Sequence, residues 1–457
     1  MSCQDDTITA IATAPGEAGV SIVRISGPDS LRVADKVFSG PPPRPSERSS
    51  HVVLHGRITG DGGDVDEVLL LIMRAPHSYT CEDVVEIQGH GGTLAARRIL
   101  RRVLESGARM AEPGEFTRRA FLNGRIDLLQ AEAVLDLVRA RSDRAAAAAV
   151  EQLEGGLSRR FNVIYDGLLS VATDLEATLD FPDDELPSST VTELAARLTS
   201  ARDEVGSLLG TWDEGHLIRE GALVVIAGRP NVGKSTLMNA LLGKDRVIVS
   251  HLPGTTRDTI EEGLVLDGIP IRLVDTAGLR EAQSEIEQEG IRRTKAHMQK
   301  ADLHLYVVDA SAPLEAEDRD RLKTLGDERT VVVLNKTDLG RVVKAEDVPG
   351  FAAVETSLVK GVGVDEVRRE MSLKLESGVD LSAPPHAVIS ERHRQLLTET
   401  GGEIGKALEL LEKGPGDNTV LAAECLRSAL ESVGSATGRV YQEELLASIF
   451  SRFCIGK

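Results

Sequence analysis

The chain has 457 residues, which predicts two to four domains, and 41% are hydrophobic but only 3% aromatic, so we expect aliphatic cores. Four widely separated cysteines without metal-ligand spacing argue against disulfides and a zinc site, and a formal net charge of −19 argues against tight binding to nucleic acid by the chain alone. The sequence shows no secretory signal and no apolar run of membrane-spanning length, so we expect a cytoplasmic protein with no membrane association.

The predicted elements fall into four segments. Residues 1–120 mix short β-branched runs with glycine-rich turns, which is typical of an α+β domain. Residues 121–215 are rich in alanine and leucine and repeat their apolar positions near every 3.6 residues, which predicts helices. Residues 216–378 alternate strands with helices, and residues 379–457 are helical again. We therefore predict a multidomain α/β protein in which an α/β domain is inserted into a discontinuous helical domain.

One basic stretch stands out in the first segment. In the run Arg97-Arg98-Ile99-Leu100-Arg101-Arg102, the spacing of the arginines puts four guanidinium groups on one side of a predicted helix. Two interpretations remain open, a solvated helix face and a contact to a polyanion.

A phosphate-binding loop opens the α/β segment. Gly228-Arg229-Pro230-Asn231-Val232-Gly233-Lys234-Ser235 lies between an apolar run at 223–227 and a helical stretch at 236–242, the context that this motif requires. Backbone N–H groups would surround the phosphates, Lys234 would reach the β- and γ-phosphates, and the Ser235 hydroxyl would hold Mg²⁺.

Further motifs follow in the order of a Ras-like GTPase. Gly254-Thr255-Thr256-Arg257-Asp258 resembles a switch I segment, with Thr256 as a second Mg²⁺ ligand. Asp275-Thr276-Ala277-Gly278 ends a strand, where a carboxylate can hold a water on Mg²⁺ and a glycine can donate its N–H to the γ-phosphate.

The base specificity comes from two later motifs. In Asn335-Lys336-Thr337-Asp338, the Asp338 carboxylate would accept hydrogen bonds from guanine N1 and the exocyclic amine, which adenine cannot supply. At Ser357-Leu358-Val359 a backbone N–H would donate to guanine O6. These motifs predict a GTPase rather than an ATPase.

Two details concern hydrolysis. Leu279 occupies the position at which Ras-type enzymes carry the glutamine that orients water, and Glu281, Glu285 and Glu287 are candidate replacements or solvated loop charges. Asn231 is either a turn-forming residue or the source of an oxygen for a monovalent cation, which would take the role of an arginine finger.

Strings outside the GTPase motifs carry a whole-chain resemblance. They are Asp6-Thr7-Ile8, Gly19-Val20, Arg24-Ile25-Ser26-Gly27, Glu86-Ile87-Gln88-Gly89-His90-Gly91-Gly92, Pro113 to Asn123, Asp180-Phe181-Pro182-Asp183 and Phe453-Cys454-Ile455-Gly456-Lys457. Together they resemble the MnmE (TrmE) family of tRNA-modification GTPases along essentially the whole length.

The resemblance implies an N-terminal folate-binding-like domain that dimerises, a helical domain in two parts, and an inserted G domain that K⁺ activates. It also implies that the homodimer forms a heterotetramer with the flavoprotein MnmG (GidA). This complex would add an aminomethyl or carboxymethylaminomethyl group at C5 of the wobble uridine of certain tRNAs. The one-carbon donor would be 5,10-methylene-tetrahydrofolate, for which 5-formyl-tetrahydrofolate is an analogue.

Site residues follow from the resemblance and the motifs. Folate contacts are implied for Arg24, Glu86, Arg125 (where the family typically has lysine) and Lys457. K⁺ ligands are implied at Asn231, Ser250, Leu252 and Thr255, and Mg²⁺ ligands are expected at Ser235 and Thr256. Glu287 is implied to orient the catalytic water, beside Lys234 and Asn231. The GTP contacts are expected from Asn231, Val232, Gly233, Lys234, Ser235, Thr236, Ser250, His251, Leu252, Pro253, Gly254, Thr255, Thr256, Asp275, Thr276, Ala277, Gly278, Asn335, Lys336, Asp338, Ser357, Leu358 and Val359.

Two alternative functions also fit parts of the sequence. An RNA-binding switch of the Era or Der kind is opposed by the absence of a second G domain and of a basic C-terminal module. A third interpretation makes residues 1–120 a dimerisation and folate-binding module without a part in chemistry.

Cys454 is either a small buried hydrophobe or a reactive thiol near the folate site.

Overall fold

A computed structural model describes residues 6–60, 62–180, 188–243, 246–247, 261–275, 298, 300–376, 388–414 and 417–457. The chain divides into two compact units. The first draws its described residues from the ranges 1–135, 158–172 and 426–457, and the second from 136–157 and 173–425. The domain boundaries that we place at residues 120, 215 and 378 from the sequence stay predictions.

The first unit is built on a seven-stranded sheet with the order β3-β4-β5-β6-β2-β1-β7. Neighbouring strands are antiparallel except for β1 and β7, which are parallel. The strands are β1 (Ile8–Ile11), β2 (Val20–Ser26), β3 (Phe38–Ser39), β4 (Val52–Gly60), β5 (Gly63–Met73), β6 (Val84–His90) and β7 (Arg109–Met110).

Helices connect and cover the strands. They are α1 (Ser30–Val37), α2 (Thr93–Glu105), α3 (Glu115–Leu122), α4 (Leu128–Arg139), α5 (Asp143–Leu153), α6 (Gly156–Asp180), α7 (Ser188–Gly210), α8 (Trp212–Glu220), α9 (Lys234–Leu242), α10 (Ala316–Leu325), α11 (Val364–Leu375), α12 (Glu391–Glu412), α13 (Asp417–Thr437) and α14 (Glu443–Phe450). In the first unit, α1 and α2 pack against one face of the sheet, on Val23, Ile25, Leu70 and Ile87. Alternation along the strands therefore puts the intervening side chains, Arg24 and Glu86 among them, on the other face.

The second unit contains a seven-stranded sheet with the order β14-β13-β12-β8-β11-β10-β9. The five strands from β14 to β11 are parallel, and β10 and β9 are antiparallel additions. The strands are β8 (Ala222–Gly228), β9 (Arg246–Val247), β10 (Glu261–Leu266), β11 (Ile269–Asp275), β12 (Leu303–Asp309), β13 (Thr330–Asn335) and β14 (Ala352–Glu355).

Helices lie on both faces of this sheet. Leu237 of α9 and Val367 of α11 pack on one face, and Leu322 of α10 packs on the other. The central strands are buried on both sides, which explains why their sequences are continuous apolar runs. In such sheets ligands bind at the carboxyl ends of the strands, and the predicted motifs lie there.

Among the described residues, the structure confirms the predicted alternation of strands and helices in residues 216–378 and the helical character of residues 121–215 and 379–457. In the first unit, β5 begins at Gly63 and pairs with β4 over almost its whole length. No helix among the described residues is long and apolar enough to cross a membrane.

Candidate functional site

The phosphate loop connects β8 to α9, and two of its glycines are required by the backbone. Gly228 has φ +143° and Gly233 has φ +109°. A Cβ at Gly228 would collide with the carbonyl oxygen of Val307 on β12, and one at Gly233 with the side-chain amide of Asn335. The loop therefore approaches its neighbours too closely for any side chain at these positions.

Two side chains at the start of α9 are placed for phosphate and metal chemistry. Lys234 is buried, and its Nζ donates to the carbonyl oxygen of Arg229 at 2.7 Å, inside the loop. The Ser235 hydroxyl is exposed and donates to a carboxylate oxygen of Asp275 at 2.8 Å. Asp275 ends β11, which runs parallel to β8. A hydroxyl beside a carboxylate supplies the oxygen donors that Mg²⁺ prefers, so these residues fit the predicted metal.

The residues predicted to bind the base meet at the ends of β13 and β14. The Asn335 amide nitrogen donates to the carbonyl oxygen of Val232 at 2.8 Å, and its amide oxygen accepts the backbone N–H of Leu358 at 3.2 Å. Asn335 therefore ties the phosphate loop to the segment after β14. The Lys336 ammonium lies 2.7 Å from the carboxylate of Asp309 at the end of β12.

Asp338 is held as a carboxylate. The Ser357 hydroxyl donates to it at 2.7 Å, and this hydrogen bond holds the pKa of Asp338 below its ordinary value. An ionised carboxylate is an acceptor only, as the predicted pairing with two guanine donors requires. Ser357 and Leu358 are buried, whereas Val359 is 88% exposed.

The structure therefore brings together the predicted residues from the phosphate loop, Asp275 and the two base motifs. Several predicted residues lie outside the described part of the chain: Ser250, His251, Leu252, Pro253, Gly254, Thr255, Thr256, Thr276, Ala277, Gly278 and Glu287. Asn231 is described; it is exposed and has φ +64°, a left-handed conformation that asparagine tolerates better than other side chains do. The predicted roles of all these residues stay predictions.

A second candidate site lies in the first unit, on the sheet face opposite α1 and α2. Arg24 of β2 and Glu86 of β6 are cross-strand neighbours, and their side chains form an ion pair of 2.8 Å. Arg24 also points a terminal nitrogen at the carbonyl oxygen of Gly456, 3.5 Å away. Both side chains are more than four-fifths buried. The structure thus joins residues 24, 86 and 456, which are far apart in sequence.

Tyr79 links these residues to Arg125. The Arg125 guanidinium donates to the carbonyl oxygen of Tyr79 at 3.0 Å, and it lies 4.9 Å from the centroid of the Tyr79 ring. The Arg24 guanidinium lies 5.7 Å from the same centroid. Two cations therefore face one aromatic ring, an arrangement that stabilises both.

Sequence reasoning missed Tyr79. Burial raises its pKa, so it stays a neutral phenol, and its hydroxyl is 2.9 Å from that of Thr117 on α3. The ring packs against Ile8, Ala10 and Phe116. One feature of the sequence could have pointed to Tyr79: aromatic residues make up only 3% of the chain, so each aromatic side chain is unusual.

The C-terminal residues pass beside this cluster. Lys457 is half-buried and directly follows Gly456, the residue whose carbonyl faces Arg24. Cys454 is exposed, so its interpretation as a buried hydrophobe is wrong. The carbonyl oxygen of Cys454 accepts the N–H of Gly114, the residue before α3, at 3.4 Å. Among the described residues, no three or more His, Cys, Asp and Glu side chains form a group that could hold a metal ion.

Two family models match the chain. The model described as GTP-binding protein TrmE N-terminus matches residues 7–125, and the model described as MnmE helical domain matches residues 128–454. A relative from Moorella thermoacetica, named tRNA modification GTPase MnmE, is 46% identical over 99% of this chain and 100% of its own length. The chain belongs to the MnmE family. A relative of the same name from Symbiobacterium thermophilum is also 46% identical, with the same coverage.

Membership of the MnmE family confirms the predicted fold class and the predicted class of enzyme, a GTP hydrolase of tRNA modification. Among solved structures, the G domain of the T. maritima FeoB iron transporter is 27% identical and covers 35% of this MnmE-family chain and 99% of its own, with a TM-score of 0.27. Aquifex aeolicus Era bound to GDP and AlF4⁻ is 26% identical over 41% of this chain and 67% of its own, also with a TM-score of 0.27. Scores this low establish no common architecture over the chain.

Proposed function

We propose that this chain is a K⁺-activated, Mg²⁺-dependent GTPase of the cytoplasm. As a homodimer with the flavoprotein MnmG, it adds an aminomethyl or carboxymethylaminomethyl group at C5 of the wobble uridine of certain tRNAs. The observation that carries the proposal is the presence of two separate candidate sites in one chain. A pure nucleotide switch needs only the site at the phosphate loop, whereas the cluster of Arg24, Glu86 and Arg125 has no use in GTP hydrolysis.

In the proposed hydrolysis, water attacks the γ-phosphate directly. Lys234 would exchange its hydrogen bond to the carbonyl oxygen of Arg229 for contacts that neutralise charge on the β- and γ-phosphates. Ser235 would hold Mg²⁺, which would supply further positive charge at the phosphates. K⁺ would add charge where other GTPases use an arginine finger, with Asn231 as one ligand and Ser250, Leu252 and Thr255 as the others. Glu287 would orient the water in place of the glutamine replaced by Leu279.

At the second site, a folate one-carbon donor would bind beside Arg24. The structure supports this because Arg24 is anchored by Glu86 through one nitrogen and faces Gly456 with another, so the guanidinium is held in place before a ligand arrives. Glu86 also retains an oxygen that can accept a pterin N–H, and Arg125 suits the carboxylates of the folate tail. Lys457 would contribute the last contact.

The proposed homodimer would form through the first unit. Val20, Val53 and Leu69 are 50%, 58% and 43% exposed, respectively, and they project from the sheet face that also carries Arg24. Exposed apolar side chains on an open sheet face are typical of an interface rather than of a solvated surface. A second copy seated there would lie close to the candidate folate site, and two G domains could then meet to activate hydrolysis.

We predict that Arg24→Gln weakens binding of 5-formyl-tetrahydrofolate to the full chain by about 10- to 100-fold, the usual effect of removing a charged hydrogen-bond donor from a buried site. Isothermal titration calorimetry measures this directly. Arg32→Gln is the matched control, since Arg32 is an exposed arginine of the same unit that pairs with Asp29. Equal affinities for wild type and Arg24→Gln would contradict the assignment of Arg24.

The function as a whole is tested by deleting the gene and analysing wobble uridines of total tRNA by mass spectrometry. We expect C5-modified uridine to disappear and to return with the wild-type chain but not with Lys234→Ala. Normal C5-modified uridines in the deletion strain would overturn the proposal and favour an RNA-binding switch of another kind.

A further inference from the structure

Helix α2 separates apolar from cationic side chains. Ala96, Ile99, Leu100 and Val103 are buried in the core of the first unit. Arg97, Arg98 and Arg101 are exposed on the outer side, and we call these three residues the guanidinium face. Arg102, which the sequence placed with them, belongs elsewhere. Its Nε donates to the carbonyl oxygen of Thr59 at 2.8 Å, and another nitrogen lies 3.7 Å from Glu105.

The guanidinium face has no acidic partner among the described residues. Other exposed arginines of the same unit are paired: Arg32 lies 3.1 Å from Asp29, and Arg57 lies 2.7 Å from Asp64. In a chain with a formal net charge of −19, an adjacent carboxylate is the expected neighbour of a surface arginine. Three arginines on a single helix face that form no ion pair with a carboxylate create a local positive field, which attracts a polyanion.

Two clefts border this face. One, of about 270 Å³, is lined by Arg97 and also by Thr13, Ser21, Met110 and Ile455. The other is lined by Arg98, by Glu17, which forms no ion pair with it, and by residues at the start of α2. Ile455 directly precedes Gly456, whose carbonyl faces Arg24 in the candidate folate site. The first cleft therefore extends from Arg97 to Ile455, one residue before the glycine whose carbonyl oxygen faces Arg24.

We propose that the guanidinium face docks the phosphate backbone of the tRNA, beside the cleft that extends to Ile455. This inference rests on the proposed function. Guanidinium groups match phosphate through two parallel hydrogen bonds, and Arg97 and Arg101, one helical turn apart, can reach neighbouring phosphates. The substrate of the proposed function is an RNA with a regular repeat of phosphates, so we assign the face to RNA and make an acidic protein surface an outcome of the test.

The test compares the full-length wild type with the triple variant Arg97→Gln/Arg98→Gln/Arg101→Gln, with and without the flavoprotein partner. Fluorescence anisotropy with an unmodified tRNA transcript is measured in a KCl series from about 50 to 200 mM. We expect affinity at the lowest salt to fall by about 10- to 100-fold, and the slope of log K against log salt to fall by roughly 2 to 3, since each lost phosphate contact removes about 0.7 to 0.9.

Arg32→Gln/Arg57→Gln is the matched control, because it removes exposed arginines that are already neutralised, and its salt slope is expected to equal that of wild type. The thermal midpoint and the GTPase rate of the triple variant show whether it is folded. Both are expected to equal those of wild type, since the three arginines are exposed and α2 lies in a different unit from the phosphate loop. A triple variant that binds tRNA with unchanged affinity and slope overturns the inference.

Two further outcomes separate the inference from the function on which it rests. Weaker binding to the flavoprotein with normal tRNA binding assigns the face to a protein partner and overturns the inference alone. If neither the wild-type chain nor its complex binds tRNA at any salt concentration, the proposed function fails and the inference fails with it. Arg24→Gln is expected to keep the wild-type salt slope, which distinguishes loss of the folate from loss of RNA docking.

Discussion

Asp338→Asn is expected to lower the affinity for GTP by about 10²- to 10⁴-fold and to raise the affinity for xanthosine triphosphate. The carboxylate is predicted to accept two hydrogen bonds from guanine, and two charge-assisted bonds lost at once account for this range. An asparagine amide can donate to the extra oxygen of xanthine, which the carboxylate repels. Competition of each nucleotide against a fluorescent guanine nucleotide measures both changes.

The structure indicates that Asp338→Asn changes base recognition without moving the surrounding backbone. Asp338 accepts from the Ser357 hydroxyl, and an asparagine oxygen can accept the same bond, so the surrounding backbone has no reason to move. Asp320→Asn is the matched control, since Asp320 is an exposed carboxylate on α10 of the same unit. Unchanged discrimination between guanine and xanthine nucleotides in Asp338→Asn would show that another residue selects the base.

The second large effect concerns potassium. Removing the Asn231 side chain is expected to lower the GTPase rate in K⁺ by about 10²- to 10³-fold, the usual effect of losing one element of charge stabilisation in the transition state, and to leave the slow rate in Na⁺ unchanged. Nucleotide affinity is expected to persist, because backbone N–H groups of the loop hold the phosphates.

The backbone at Asn231 decides which variants are informative. Because residue 231 has φ +64°, an alanine at this position adds strain to the loop, whereas a glycine adopts this conformation without cost. Asn231→Gly therefore removes the oxygen alone, and Asn231→Ala shows how much strain contributes. Asn239→Ala, on the exposed side of α9, is the control. Wild-type rates that are equal in Na⁺ and K⁺ would rule out a potassium site at Asn231.

The phosphate loop could be predicted because its determinants are local. Gly228 and Gly233 are needed for positive φ and close backbone contact, and Lys234 and Ser235 follow at the helix start, so a short run of sequence contains the geometry. The guanine motif is local in the same sense, since Asn335 to Asp338 directly follow a buried strand. The hydrogen bond from Asn335 to Val232, which joins the two motifs, is not visible in either of them.

The candidate folate cluster shows the opposite case. Arg24 and Glu86 meet because β2 and β6 pair in one particular register, and a shift by one residue would put their side chains on opposite faces. Only the resemblance to a family pointed to these residues. Tyr79, whose ring faces both guanidinium groups, was not singled out at all, because a lone aromatic residue in a turn-rich segment carries no periodic signal.

By itself, the sequence determined the class of protein: an acidic, aliphatic chain with a nucleotide-binding α/β segment between helical segments, a guanine-selecting aspartate, and strings shared with the MnmE family. These features depend on composition, periodicity and short motifs, which the order of residues contains directly. Only the tertiary structure decided that Arg24, Glu86, Tyr79, Arg125 and Gly456 converge, and that three rather than four arginines of α2 face outward. The reason is physical: strand register and helix packing depend on burial summed over the whole core, and no local stretch of sequence specifies that sum.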